Sequence, residues 1–194
     1  MTTTLRRATV CGAVLLFALG CDSSGPPAPF LLSISAGDGQ RDTVGQTLPL
    51  PYALLVRNAS DSTPAATMTV SWSVIAGGGS VTTTSTTGLT GVAIATRTLG
   101  TVAGPQKVRA GIGATAVTFT DTALAGPPGT ALKVAGEGQN GAPGLALPVP
   151  FAVLVQDQYD NPVGGVTVSW AVDSGGGTLS PTSSQTAVGT RIDS

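Results

Sequence analysis

Leu48-Pro49-Leu50-Pro51-Tyr52-Ala53-Leu54-Leu55-Val56 is a stretch that the chain writes twice, for it returns as Leu147-Pro148-Val149-Pro150-Phe151-Ala152-Val153-Leu154-Val155. Working outward, Thr69-Val70-Ser71-Trp72 returns as Thr167-Val168-Ser169-Trp170. Each copy then runs into three consecutive glycines, Gly77 to Gly79 and Gly175 to Gly177. The offset is 99 residues at the first match and 98 at the second, so the loop between them differs by one residue. A period this long holds several strands with their turns and marks a tandem of whole domains. Solenoid repeats are single supersecondary units of only ~20–50 residues.

From Phe30 onward the pattern is short apolar runs punctuated by turn residues, with no helical periodicity. The first unit predicts strands over 30–36, 52–58, 67–75, 79–84, 92–99, 106–112 and 114–123. Seven strands in such a span have the count and size of an immunoglobulin-like β-sandwich. Alternation assigns the faces: Tyr52, Leu54 and Val56 share one, and Val70, Trp72 and Val74 share another, while Ser71 and Ser73 point away. Val108, Ala110, Val117 and Phe119 continue the apolar set, and Trp72 takes the central core position on the third main strand. Ala125-Gly126-Pro127-Pro128-Gly129 reads as a linker, because proline cannot donate to a ladder and glycine relaxes the exit angle. The second unit predicts strands over 131–136, 150–157, 166–173 and 177–180, with Trp170 repeating the role of Trp72. The fold class is therefore all-β, with two tandem sandwiches over 30–124 and 130–194.

Composition agrees. The 194 residues are 41% hydrophobic but only 4% aromatic and 10% charged; soluble domains average ~25% charged. Thr, Ser, Gly, Ala and Val dominate, the vocabulary of pleated surfaces and turns. The net charge is −1, with no basic stripe to neutralise phosphates, which argues against a nucleic-acid partner.

The amino terminus reads as an export leader over 1–20. Arg6-Arg7 supplies the positive region, and the apolar run from Val10 to Leu19 is too short for a bilayer span of ~20 residues. Ala18-Leu19-Gly20-Cys21 resembles the bacterial lipobox, although Ala18 stands where that motif usually has Leu. That resemblance implies that Cys21 is lipidated and becomes the mature amino terminus; the alternative is an ordinary secretory signal that leaves Cys21 free. Residues 21–29 are a polar, Pro-rich tether, suited to holding a domain off a membrane. Cys11 lies in the leader, so with Cys21 lipidated the mature chain has no disulfide and must fold by core packing.

Together these residues resemble the group 1 bacterial immunoglobulin-like repeat of the invasin and intimin adhesins. The carrying residues are Asp157, Asn161-Pro162-Val163 and Gly165-Val166-Thr167-Val168-Ser169-Trp170 with its glycine triplet. In the first unit they are Thr87, Gly91, Ala93, Leu99-Gly100, Gly104, Val108 and Ala110. Two departures stand out. The first copy has Arg57-Asn58-Ala59-Ser60-Asp61-Ser62-Thr63-Pro64 in place of the Asp-to-Asn-Pro-Val turn, and Asp160 occupies a position where the family commonly has Gly. The resemblance implies a sandwich that stiffens or extends a surface protein.

Candidate chemistry is sparse. The chain has no histidine, so a Ser-His-Asp triad, a Cys-His dyad and a His-based metal site are all beyond it. Glu137 has no carboxylate near it in sequence for acid–base work. No cofactor is implied. Asp157, Asp160 and Asn161 read as a turn, Asn and Pro being turn formers, or as a weak calcium loop built from oxygen ligands. Asp38-Gly39-Gln40 and Glu137-Gly138-Gln139 are a second doubled motif, read as a turn after the first strand, with a binding loop as the alternative.

In the first unit 32 residues follow Gly91 before closure near Ala123, whereas five follow the matching Gly189. The expectation is that the second sandwich lacks its closing strands and leaves the strand of Trp170 with an open edge. Three functions remain open. One is an exported, membrane-anchored lipoprotein of the cell envelope acting as a non-enzymatic spacer or adhesion stalk. Another is a binding module for cell-surface glycans or proteins. The last is the anchor segment of a longer enzyme.

Overall fold

A computed structural model describes residues 29–187, so the leader, Cys21, most of the tether and residues 188–194 lie outside the described residues. Among the described residues ten strands precede the linker: β1 (Phe30–Ala36), β2 (Arg41–Thr43), β3 (Tyr52–Asn58), β4 (Thr69–Ala76), β5 (Ser80–Val81), β6 (Thr84–Thr86), β7 (Val92–Ala95), β8 (Arg97–Thr98), β9 (Gly104–Ile112) and β10 (Thr115–Leu124). They form a three-stranded sheet, β1-β3-β7, facing a five-stranded one, β2-β10-β9-β4-β6, with β5 and β8 as a small separate pair. This is the immunoglobulin-like sandwich, in which the Trp72 strand lies beside β9.

The edge strand changes sheets. β1 pairs antiparallel with β3, and after a turn β2 runs parallel to β10 in the opposite sheet. Gly37 makes the crossing possible: its φ is +86°, and a Cβ there would stand 2.4 Å from the Pro51 carbonyl oxygen. Sequence patterning missed β2, because Arg41-Asp42-Thr43 carries no apolar alternation. Two predicted strands are also broken: 79–84 divides into β5 and the start of β6, and 92–99 into β7 and β8.

The core follows the predicted faces. Tyr52, Leu54, Val56, Val70, Val108, Ala110 and Phe119 are fully buried, and Trp72 nearly so. Three aromatic rings meet at the centre, with Tyr52 at 4.4 Å from Phe119 and Trp72 at 5.6 Å from Phe119, between ring centroids. Trp72 also donates its indole N–H to Ser85 Oγ at 2.9 Å.

Beyond the linker come β11 (Thr130–Ala135), β12 (Ala152–Gln156), β13 (Thr167–Ser169) and β14 (Ser183–Gln185). β11 pairs with β12 as β1 does with β3, down to the same irregularity: Lys133/Ala135 in one and Ile34/Ala36 in the other. β13 pairs with β14 as β4 does with β6, and Trp170 donates to Ser184 Oγ at 3.0 Å. Among the described residues β12 and β13 have no further strand neighbours. The run predicted as a strand over 177–180 is irregular. Its counterpart β5 is held by β8, and no described residue of the second unit supplies that partner.

Candidate functional site: the junction between the two units

The turn after β12 is where the two units meet. Asp157 is 1% exposed and Asn161 6%, although both lie on a loop. Asp157 Oδ1 accepts from the backbone N–H groups of Tyr159 at 2.8 Å and Asn161 at 3.0 Å. Oδ2 accepts from the linker, Gly126 N–H, at 2.7 Å, and from Asn161 Nδ2 at 2.9 Å. Asn161 then reaches into the first unit. Its Nδ2 donates to the Thr101 carbonyl at 2.8 Å, and its Oδ1 accepts from Ala103 N–H at 2.8 Å. A backbone acceptor on one side and a backbone donor on the other admit only one orientation of the amide. Tyr159 extends the contact: a Cβ placed on Gly45 of the first unit would lie 3.6 Å from its hydroxyl oxygen.

Electrostatics fit this arrangement. Burial pushes the Asp157 carboxyl up, but the bonds from the Asn161 side chain and from the N–H groups of Gly126, Asn161 and Tyr159 outweigh it. They hold the carboxyl below its ordinary value. Both carboxylate oxygens thus face N–H donors, and Asn161 Oδ1 does too; a hard cation would need those oxygens turned toward it. Asp160 contributes backbone: its φ is +64°, its N–H donates to the Asp157 carbonyl at 3.2 Å, and its own carbonyl accepts from Gln156 Nε2 at 2.8 Å. The positive φ explains why glycine would be at home there.

The doubled Asp-Gly-Gln and Glu-Gly-Gln motifs prove to hold the doubled proline stretch. Gln40 Nε2 donates to the carbonyls of Gly37 and Leu50, while its Oε1 accepts from Leu50 N–H. Gln139 does the same with Gly136 and Val149. The amide stands in for a ladder partner that a Leu-Pro-x-Pro segment cannot recruit for itself.

A second polar group sits inside the first sandwich and was not singled out from sequence. Arg97 is 1% exposed and donates to the carbonyls of Gly78 and Ser80 and to Gln106 Oε1. The glycine triplet permits this, since a Cβ on Gly79 would lie 2.3 Å from the Thr98 carbonyl oxygen. Tyr52 donates its hydroxyl to Asp121, which is also buried. Desolvation raises the Asp121 carboxyl above its ordinary value, against the bonds from Tyr52 and Gln40 and the attraction of Arg97. The signal was the phase of the alternation: residues 93, 95 and 97, 106, 108 and 110, and 119, 121 and 123 each share an inward face.

In the second unit Phe151 takes the place of Tyr52 and stacks on Trp170 at 6.5 Å between centroids. The two rings, with Lys133, Gly136 and Leu147, line a groove of about 390 Å³. Trp170 is half-buried there. Cys21 lies outside the described residues.

No family model matches the chain, and comparison with the curated proteins found no match. Among solved structures, the chain is similar to the D0–D1 domain of Intimin, with 14% identity and a TM-score of 0.37 over 83% of this chain and 80% of that one. It is also similar to FdeC, an adhesin of Escherichia coli, with 17% identity and a TM-score of 0.44 over 82% of this chain and 55% of that one.

Proposed function

We propose that the chain is an exported lipoprotein of the cell envelope, held to the membrane through Cys21, whose immunoglobulin-like repeats act as a non-enzymatic spacer or adhesion stalk. The observation that carries this reading is the junction: two units of one design follow each other and are tied by side chains buried between them. A spacer needs that, because an array of loosely strung domains gains little reach. The leader and the Pro-rich tether of 21–29 support export and anchoring. The second reading, a module that binds cell-surface glycans or proteins, is favoured by the groove between Phe151 and Trp170.

The test is made in cells producing the full chain. Alkyne-palmitate should label the wild type and not Cys21→Ser, and the variant should leave the membrane fraction. Unlabelled wild type, or a variant that stays on the membrane, would overturn the anchor. Trp170→Ala separates the two readings. A spacer keeps cell attachment to glycan- or protein-coated surfaces unchanged, and a binding module loses it.

A further inference from the structure

The turn that follows β12 occupies the same place in its unit as the turn that follows β3, yet the two use their polar groups in opposite ways. The first closes its side chains on itself, while its Ala59 N–H donates to the Pro29 carbonyl just ahead of β1. Asn58 N–H donates to the Thr63 carbonyl, Asn58 Nδ2 to Thr63 Oγ1, Thr63 N–H to Asp61, Arg57 to the Ser62 carbonyl, and Ser62 N–H to the Asn58 carbonyl. Its Asn58 stands where the second unit has Asp157, and both Asp61 and Ser62 are exposed. The second turn turns its Asp157 and Asn161 outward, onto the linker and onto the 101–103 loop of the unit before it.

We propose that the Asp157-to-Asn161 turn is a docking element by which a repeat is locked to its predecessor, and that the 101–103 loop between β8 and β9 is its receiving site. The partner it fits is a loop of this same repeat type that offers one free backbone carbonyl and one free N–H. In Thr101 and Ala103 these flank Val102, whose own carbonyl is taken by Gln106 Nε2 from inside the first sandwich. The internal bond matters, because it fixes the loop on its own core before the next repeat arrives. Asp157 plays a positioning role: it aims the Asn161 amide with two bonds and ties the linker with a third. Among the described residues the side chains of the 57–64 turn reach no neighbouring repeat. The inference concerns how repeats are joined, and it stands whether the array serves as a spacer or as a binding module.

Nuclear magnetic resonance of the full chain tests it. In the wild type, 15N relaxation should return a single rotational tumbling for the ladders β9–β10 and β11–β12, and the amides of Ala103 and Gly126 should be protected from exchange. Asn161→Ala should speed Ala103 exchange about tenfold, the loss of one net hydrogen bond, and split the tumbling into two. The β11–β12 amides should keep their protection. Unchanged Ala103 exchange with single tumbling would overturn the proposal. If the β11–β12 amides also open in Asn161→Ala, the decision passes to Ala103→Pro, which deletes the donated proton from the first unit's side. Two tumbling rates with both ladders intact then support the lock, and one rate refutes it.

Discussion

Trp72 and Trp170 are the same residue in two settings, and the comparison isolates what surrounds them. Trp72 is 3% exposed, ringed by Tyr52 and Phe119, and its indole N–H is satisfied by Ser85. Trp170 keeps the serine partner and one ring, Phe151, but is only half-buried. Trp72→Ala should therefore cost the first unit ~3–5 kcal/mol, a large share of a domain's ~5–15 kcal/mol. Trp170→Ala should cost the second unit about 1–2 kcal/mol, in proportion to the area it hides. Calorimetry of the two variants checks this, and equal losses would deny the difference in packing. Both tryptophans were legible in the sequence because alternation put them on apolar faces. Arg97, Gln106 and Asp121 lie in inward phase just as plainly, yet their polar side chains speak against burial. The carbonyls of Gly78 and Ser80 reconcile Arg97 with it, the backbone of Gly100 and Val102 reconciles Gln106, and the Tyr52 hydroxyl and Gln40 N–H, both far off in sequence, reconcile Asp121. Asn161 was read as a turn former and is one; its partners Thr101 and Ala103 sit about sixty residues away, where spacing carries no signal.

At the scale of elements the doubled sequence encodes doubled pairings. β11–β12 and β13–β14 repeat β1–β3 and β4–β6, bulge included, so their local patterning suffices to specify register. What patterning could not convey was β2, three polar residues made a strand by the edge of β10, or the strand breaks near Thr96 and Thr82. In the first unit β4 lies between β6 and β9, so its amides and carbonyls are used on both sides. β13 is bonded on one side among the described residues. Its amides should accordingly exchange faster with solvent than those of β4, since an edge opens without disturbing a second neighbour. The matched pair Ser71 and Ser169 is the most direct comparison, being flanked by the same residues: Ser71 is paired with both Thr84 and Gly111, Ser169 with Ser183. Equal protection at the two positions would mean that something further covers β13.

For the whole molecule, Asp121 and Asp157, the two buried carboxyls among the described residues, make opposite demands on pH. Asp157 is held below its ordinary value, so its contribution to the junction is complete above the unfolded-chain value of about 3.9 and is lost as pH falls through the lower folded value. Asp121 is raised, so what it contributes to the first sandwich is complete below about 3.9 and is lost as pH rises through the higher folded value. Acidification should thus tighten the first sandwich on the way down to about 3.9 and loosen the joint below it. Between neutral pH and the acid limit, the amides of Gly126 and Ala103 should lose protection before those of Val108 and Phe119 do. Asp157→Asn should flatten the acid dependence at Gly126, leaving the core amides as they were. Asp121→Asn should remove the acid gain in the first unit's melting temperature and leave the junction's response intact. A chain whose junction and core amides open together on acidification would show that the two units unfold as one, with Asp157 no more than a turn residue.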